Sequence, residues 1–133
     1  MSDLSQMSRG DVGRVAEAQF VADAARRGLF VSAASTELPG YDVVVDNGTK
    51  LFRVQIKGST SRLGATNPRH TYSWTATSKV SDSKWDIMAC LTLENSEWFF
   101  YHPSQLLNMY RLTLFSSGKW FDSAYGWDVF DHD

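Results

Sequence analysis

The sequence predicts an α/β domain of the α+β class, in which helices flank a central mixed sheet. Three observations indicate this fold: an apolar repeat of helical spacing near the N-terminus, two β-branched runs around an Asn-Gly pair, and a long apolar run at residues 85–93. A chain of 133 residues suits one hydrophobic core. We therefore expect a single domain over residues 1–133, with its core at about 10–108 and an aromatic, acidic tail at 109–133.

The first element is expected to be a helix from about residue 11 to residue 27. Ser8 can cap its start and Gly28 can end it. Apolar side chains recur at every fourth position and would form a buried stripe: Val12, Ala16, Phe20 and Ala24. Glu17 lies beside this stripe rather than opposite it. A carboxylate in that position is most often a partly exposed helix residue, but it becomes a candidate ligand or base if it points into a cleft.

The most informative segment is residues 41–57, where two β-branched runs flank Asn47-Gly48, a strong hairpin signal. If these two residues form the turn, Asp42 opposes Arg53. Directly opposed residues share a face of the sheet, as do alternate residues of one strand. Val43, Val45, Phe52, Val54 and Ile56 then share the core face. The other face carries Asp42, Arg53, Gln55 and Lys57.

This polar face brings a carboxylate, an amide and an ammonium group within reach of one another. Asp42 and Gln55 are expected to be diagonal neighbours, so their oxygens can converge on one cation. The alternative is a solvated sheet face with an ordinary Asp–Arg or Asp–Lys pair, which is common in hairpins. The spacing of these residues leaves both interpretations open.

The charged side chains are distributed unevenly along the chain. Residues 50–84 carry a net charge of +6, between −3 in residues 1–49 and −5 in residues 85–133, and the whole chain carries −2. A basic central third is expected when one face meets phosphates. Tyr72 and Trp74, interleaved with these basic residues, suit contact with a nucleic-acid backbone. The alternative is a solvated surface loop or hairpin.

Later elements follow from the apolar pattern. Strands are expected at residues 29–31, 70–76, 85–93 and 97–101, and a short helix is expected to start near Pro103. The aromatic side chains of the tail are expected in the core or in a subunit interface. They are Trp120, Phe121, Tyr125, Trp127 and Phe130.

The compartment is indicated by signals that the sequence lacks. No apolar run approaches the ~18 residues of a membrane span, and the N-terminus has no basic start followed by an apolar block. The one cysteine, Cys90, cannot form an intramolecular disulfide, and we expect it to be a small buried hydrophobe. We therefore expect a cytoplasmic protein without a membrane partner.

Several motifs resemble those of the PD-(D/E)XK nucleases, in the same order along the chain. Residues 13–17 are similar to the first-helix motif of the group that contains archaeal Holliday-junction resolvases, residues 41–45 to the Asp strand, and residues 54–59 to the (D/E)XK strand. Residues 85–89 and 97–103 resemble the later strands and the helix that follows. The nearest likeness is to homing endonucleases of cyanobacterial group I introns, which also use Gln where most members have an acid.

The resemblance covers about residues 10–108 and implies a restriction-endonuclease-like αβββαβ core. It implies a Mg²⁺-dependent endodeoxyribonuclease, with Mn²⁺ able to substitute, from a prokaryote or a phage. The catalytic residues implied are Glu17, Asp42, Gln55 and Lys57. The metal ligands implied are Asp42, Gln55, the Ile56 backbone carbonyl, and Glu17 directly or through water. The residues implied to contact DNA are Arg53, Ser59, Thr60, Arg62, Arg69, His70, Lys79 and Lys84.

Two alternatives to a homing-endonuclease-like activity stay open. The substrate could be a Holliday junction or another branched DNA, or the domain could be an inactive DNA-binding or assembly module. Gln55, which replaces an acidic ligand, favours the inactive module, whereas Glu17, Asp42 and Lys57 favour an enzyme. One small domain offers one active site, so cutting both strands favours a homodimer or a higher homo-oligomer.

Overall fold

The computed structural model describes residues 7–34, 40–60, 71–75, 84–106, 111–115 and 124–131. One α-helix lies in these ranges, and the strands follow it along the chain. The elements are α1 (Arg9–Arg26), β1 (Phe30–Ala33), β2 (Val43–Asp46), β3 (Leu51–Ser59), β4 (Thr71–Thr75), β5 (Ile87–Thr92), β6 (Glu97–Tyr101) and β7 (Arg111–Phe115).

Five strands form one sheet in the order β1-β2-β3-β5-β6. Neighbouring strands are antiparallel except β3 and β5, which are parallel. Strands β4 and β7 pair with each other in a separate two-stranded sheet. The predicted fold class, a mixed sheet with a helix packed on it, is confirmed. The helix predicted near Pro103 is shorter than expected, a single 3₁₀ turn at Pro103–Gln105.

Helix α1 starts at Arg9, two positions before the predicted start. The hydroxyl of Ser8 accepts the N–H of Asp11 at 3.1 Å, so Ser8 occupies the N-cap and the residue after it is already helical. The predicted stripe is confirmed at its last three positions, because Ala16, Phe20 and Ala24 are fully buried. Val12, the first position, is partly buried and packs against the same core.

The β2–β3 hairpin differs from the prediction in register. Val43 opposes Val54 and Asp46 opposes Leu51, so residues 47–50 form a four-residue loop and Asp42 does not oppose Arg53. The wider loop is stabilised by Asn47, whose Oδ1 accepts the backbone N–H groups of Thr49 at 2.9 Å and Lys50 at 2.8 Å. These bonds form an Asx-type turn that the Asn-Gly signal does not distinguish from a two-residue turn.

A shift of two residues preserves the alternation of side chains, so the predicted core face is confirmed. The predicted core face is buried throughout: Val43, Val45, Phe52, Val54 and Ile56. The register does not extend to Asp42, because regular pairing ends at Val43 and the N–H of Asp42 donates to the Val54 carbonyl.

Two apolar clusters cover the two faces of the sheet. The larger one lies under α1 and includes Val129 and Phe130, from the region expected to be a tail. The smaller one lies on the opposite face of β5 and β6 and contains the free Cys90, which is buried as expected. Strand β5 is consequently buried on both faces. No helix within the described ranges is long and apolar enough to cross a membrane.

The outcome for the tail aromatics depends on the residue. Phe130 is fully buried, and Trp127 packs against the core in a 3₁₀ turn at Trp127–Phe130. Tyr125 is 42% exposed, although its backbone pairs with Phe100 at the outer edge of β6. Trp120 and Phe121 lie outside the described residues. Part of the predicted tail therefore belongs to the core.

Candidate active site

Helix α1 crosses β3 in close contact at Gly58. A Cβ atom built on Gly58 would lie 2.9 Å from the Cβ of Ala16 and 3.1 Å from Cγ1 of Val12. Atoms of this kind do not approach so closely, so the crossing requires a residue without a side chain. Glu17 follows Ala16 directly. The contact therefore fixes where Glu17 leaves the helix relative to β3.

The Asp42 carboxylate lies in the plane of the sheet, where β2 and β3 diverge. Its Oδ2 accepts the backbone N–H of Ile56 at 2.7 Å, while the N–H of Asp42 donates to the Val54 carbonyl at 2.9 Å. Regular pairing ends at Val43 and Val54, so the carboxylate takes the place of a backbone acceptor. A hydrogen bond to a charged acceptor is strong and directional, and it holds this carboxylate in one orientation.

The other predicted site residues lie on both faces of the sheet. Glu17 approaches from the helix side, and Gln55 and Lys57 project from the opposite face. A residue in a strand directs its N–H and its C=O towards the same neighbouring strand. Since the N–H of Ile56 points to Asp42, the Ile56 carbonyl lies on the Asp42 side of β3 as well. Of the predicted metal ligands, the Ile56 backbone and the Glu17 carboxylate thus lie near Asp42, whereas Gln55 projects from β3 on the face opposite α1.

The two carboxylates share an unfavourable electrostatic environment. Burial raises the pKa of Asp42, against the opposing effects of the Ile56 N–H and the Lys57 ammonium group. Desolvation also raises the pKa of Glu17, and the negative charge of Asp42 raises it further. A cation between the two acids would favour the charged form of both. This pair therefore has the electrostatic character of a cation-binding group.

Lys57 lies within electrostatic reach of both Asp42 and β5. Its side chain is partly buried, and Cys90 is its partner in the parallel pairing of β3 with β5. The ammonium group acts to lower the pKa of Asp42 and of the Cys90 thiol, although burial raises the pKa of that thiol overall. Gln55 is partly buried too and has Met88 as its partner on β5. The polar pair thus projects beside a buried strand.

Arg53, which the sequence suggested as a DNA contact, is paired with Asp86. The Asp86 carboxylate accepts the backbone N–H of Arg53 at 2.8 Å, Nε at 3.2 Å and Nη2 at 3.0 Å. The N–H of Asp86 in turn donates to the Arg53 carbonyl at 2.8 Å. These bonds join β3 to the start of β5 and neutralise the guanidinium group. A DNA contact by Arg53 stays a prediction, and this pairing does not favour it.

The other predicted DNA contacts have different environments. Ser59 is only 9% exposed and its hydroxyl donates to the Thr60 carbonyl at 3.2 Å, which leaves little surface for a phosphate. Thr60 is partly buried and Lys84 is exposed, so both are accessible. Four of the predicted contacts lie outside the described residues: Arg62, Arg69, His70 and Lys79.

The donors assembled at this site are all oxygen atoms. In the part of the chain that the structure describes, no three His, Cys, Asp or Glu side chains cluster as a metal-binding group. Glu17 and Asp42 provide two carboxylates, and Gln55 and the Ile56 carbonyl provide neutral oxygens. Hard divalent cations such as Mg²⁺ prefer oxygen ligands of these kinds. The residues fit such an ion, with less negative charge than three carboxylates would supply.

Comparison with known proteins decides the family. The sequence matches the family model described as PD-(D/E)XK endonuclease over residues 7–113. The chain belongs to the PD-(D/E)XK endonuclease family. The family predicted from the sequence is therefore confirmed, and PD-(D/E)XK nucleases generally use divalent metal ions. No curated protein matches the sequence significantly.

Two solved structures share the architecture of this PD-(D/E)XK domain. One is the bacterial homing endonuclease I-Ssp6803I, with a TM-score of 0.71 and 15% sequence identity over 93% of this chain and 93% of that chain. The other is Archaeoglobus fulgidus Hjc, a Holliday junction resolvase from an archaeal hyperthermophile, with a TM-score of 0.58 and 12% identity over 89% of this chain and 93% of that chain. At these identities the likeness shows the fold alone.

The sequence did not predict the contacts of two residues in this PD-(D/E)XK domain, Asp86 and Asn47. Asp86 precedes the apolar run of β5, and an acid at the start of a buried strand was the only signal for its role. Asn47 was interpreted only as a turn residue, yet its Nδ2 donates to the Phe130 carbonyl at 2.6 Å. No local pattern could reveal that contact, because its partners are 83 positions apart in the sequence.

Proposed function

We propose that this protein is a Mg²⁺-dependent DNA endonuclease that hydrolyses phosphodiester bonds in duplex DNA, as a homing endonuclease does. The observation that carries the proposal is the Asp42 carboxylate, which Ile56 orients beside Glu17 and Lys57. An oriented acid, a second acid and an ammonium group form a combination suited to metal-assisted hydrolysis of a phosphate ester. The fold shared with I-Ssp6803I supports the comparison with homing endonucleases.

In this proposal, Asp42, the side-chain oxygen of Gln55 and the Ile56 carbonyl would hold Mg²⁺, and Glu17 would bind it directly or through water. Asp42 would have Oδ1 to offer, since Oδ2 accepts the Ile56 N–H. Mn²⁺ can substitute because it prefers similar oxygen ligands. When bound, the ion acidifies a water molecule and neutralises charge on the scissile phosphate. The chain supplies the orientation: the Ile56 N–H holds the Asp42 carboxylate, and the contact of Ala16 with Gly58 positions the backbone beside Glu17.

Lys57 acts on the attacking water and on the phosphate. Its ammonium group orients the water or, once deprotonated, accepts a proton from it. In the charged form it stabilises the negative charge of the pentavalent phosphate. Thr60 and Lys84, together with the predicted contacts Arg62, Arg69, His70 and Lys79, bind neighbouring phosphates. Such contacts make the affinity for DNA depend strongly on salt concentration.

A plasmid assay tests the proposal. We expect supercoiled plasmid to be nicked or linearised with Mg²⁺ and left intact with EDTA. Lys57→Ala should lower the cleavage rate by about 1,000-fold, as expected when a group that stabilises the transition state is removed. Lys50→Ala is the matched control, because its ammonium group lies 5.1 Å from the Phe52 ring in the hairpin loop. It should cleave like the wild type.

The assay is informative only if the variants are folded and free of contaminating nuclease, which circular dichroism and a mock purification establish. Cleavage by Lys57→Ala at the wild-type rate would refute the proposed mechanism. Tight DNA binding without cleavage by the wild type would favour the inactive module that Gln55 suggests.

A branched substrate is the second candidate, favoured by the fold shared with Hjc. Cleavage of a four-way junction should be compared with cleavage of a linear duplex of the same arm sequence. We expect the duplex to be cut at least as fast. A strong preference for the junction would replace the homing-endonuclease comparison with a resolvase activity while leaving the same catalytic residues in place.

We also propose that the active form is a homodimer or a higher homo-oligomer. Each chain carries one candidate site, and a duplex has two strands to cut, so symmetric assembly provides the second site. Light scattering at micromolar concentration should give at least twice the mass of one chain. A monomer that still linearises plasmid in a single binding event would contradict this proposal.

A further inference from the structure

Residues 124–131, here called the C-terminal segment, complete the core beneath α1. Its Phe130 is fully buried, and the Phe130 ring centroid lies 5.4 Å from that of Phe52 and 5.5 Å from that of Phe100. The Trp127 ring lies 4.9 Å from that of Phe100. The family match ends at residue 113, so the C-terminal segment lies outside the matched region although its partners Phe52 and Phe100 lie within it.

The C-terminal segment contacts the second half of α1. The ring of Phe20 is stacked at 5.5 Å on Trp127 and meets Phe130 edge-on at 6.3 Å. The guanidinium carbon of Arg27, at the C-cap of the helix, lies 4.4 Å from the centroid of the Trp127 ring. Aromatic and cation–π contacts of this kind have preferred geometries, so they constrain position as well as burying surface.

Helix α1 is thus held at two places on either side of Glu17. On the N-terminal side, Ala16 touches β3 at Gly58, and on the C-terminal side Phe20 touches the C-terminal segment. These positions lie within about one helical turn, over which a hydrogen-bonded helix moves as a unit. A displacement of Phe20 therefore moves Glu17, three residues before it on the same helix, relative to β3, whose Ile56 N–H holds Asp42.

The C-terminal segment is itself anchored to the hairpin. The side-chain amide of Asn47 donates to the Phe130 carbonyl at 2.6 Å, and Asn47 Oδ1 accepts three bonds within the hairpin loop. The strand β2 that begins after Asp42 ends immediately before Asn47. One side chain therefore connects the hairpin that carries Asp42 with the segment that supports the helix carrying Glu17.

We propose that the C-terminal segment positions Glu17 against Asp42 and so sets the affinity of the site for its divalent cation. Trp127, Phe130 and Asn47 are positioning residues, which act through α1 and the hairpin. The inference rests on the proposed role of Glu17 as a metal ligand. It gives residues 124–131, which lie beyond the family match, a role in binding the cation.

Asn47→Asp is the first test variant. Its carboxylate still accepts the N–H groups of Thr49 and Lys50, but the amide that donates to Phe130 is replaced by an oxygen that repels the Phe130 carbonyl. Trp127→Leu removes the stack on Phe20 and is the second variant. Asp46→Asn is the matched control, since Asp46 accepts the Gly48 N–H in the same loop. Calorimetry should show Mg²⁺ affinity lowered about 10-fold in both test variants and unchanged in the control.

The same changes are then made in a Glu17→Gln background. If the segment acts through Glu17, they should lower Mg²⁺ affinity no further there. A second measurement needs no metal: the amide resonance of Gly58, recorded with EDTA, should shift in both test variants and not in Asp46→Asn. Should Trp127→Leu fail to fold, Asn47→Asp carries both measurements.

Two results would overturn the inference. The first is a further loss of Mg²⁺ affinity when a test variant is combined with Glu17→Gln. The second is an unchanged amide resonance of Gly58 in folded Asn47→Asp. A wild-type protein that binds no Mg²⁺ would instead refute the proposed function. The Gly58 measurement would then still decide whether the C-terminal segment positions α1.

Discussion

Two aspartates flank β3, and each accepts a backbone N–H of that strand with its carboxylate. Asp86 accepts the N–H of Arg53 from the β5 side, and Asp42 accepts the N–H of Ile56 from the β2 side. The guanidinium group of Arg53 lowers the pKa of Asp86, which thus has a partner of opposite charge. Burial raises the pKa of Asp42, which has Glu17 as a neighbour.

A carboxylate that accepts a backbone N–H of β3 thus serves a different purpose on each side of the strand. A carboxylate that caps a strand N–H and meets a cationic side chain is a complete structural unit. The same carboxylate placed beside a second acid stores repulsion that a divalent cation can relieve. We therefore interpret Asp86 as part of the scaffold and Asp42 as part of the proposed active site.

The largest expected difference is in cleavage. Asp42→Asn should lower the rate by about 1,000-fold, because the neutral amide cannot offset the charge of the cation or of the phosphate. Asp86→Asn should lower it by less than about 10-fold, since it acts on the site only through β3. Single-turnover cleavage of plasmid at saturating protein measures both. Equal losses in the two variants would remove the distinction between scaffold and site.

The next effect concerns the side-chain amide of Gln55. Gln55→Glu adds a carboxylate to the donor set, so we expect Mg²⁺ affinity to rise by about 10-fold. Arg53→Gln, on the same face of β3, is the control and should leave this affinity within about 2-fold. Calorimetry that finds much weaker Mg²⁺ binding by Gln55→Glu would rule out a ligand role for this position.

Without metal, the two kinds of acid should have opposite effects on stability. Asp86→Asn removes a bidentate ion pair that is partly exposed, so the free energy of unfolding should fall by about 1 kcal/mol. Glu17→Gln removes a repulsion with Asp42, so the same free energy should rise slightly. Urea unfolding in EDTA at neutral pH measures both. A decrease for Glu17→Gln would show that Glu17 is a structural partner instead.

The smallest effect is the dependence of stability on pH. An acid whose pKa is raised on folding binds its proton more tightly in the native state, so Glu17 and Asp42 make stability fall as pH rises above their ordinary values of 4.5 and 3.8. Asp86, whose pKa is lowered, stabilises above 3.8 and loses that contribution at lower pH. In EDTA, Glu17→Gln should flatten the decrease above pH 4.5, and Asp86→Asn should not.

Most of what could be predicted from the sequence followed from residue alternation. The two faces of the hairpin depend only on which residues are odd and even, so Val43, Phe52 and Val54 were placed correctly even though the loop length was wrong. The loop itself depended on side-chain bonds of Asn47, which local propensity does not resolve. The candidate metal ligands followed from the resemblance, and their roles stay a proposal.

What could not be predicted depended on contacts between distant parts of the chain. The carboxylate of Asp86 is recognisable as a partner of Arg53 only once β3 and β5 are side by side. Phe130 was expected in the core or in a subunit interface, but nothing in its sequence neighbourhood indicates that it packs on Phe20 and Phe52. Burial of Ser59 likewise results from its position in the assembled sheet.

Strand β5 has apolar neighbours on both faces and a paired strand on each edge. Its amide hydrogens should therefore exchange with solvent deuterium only when the whole domain opens, whereas exposed ends such as the hairpin loop exchange through local fraying. The slowest of these amides report global stability directly. A variant that leaves their exchange unchanged but alters the site has a local effect, and this separates damage to the fold from damage to the chemistry within a single sample.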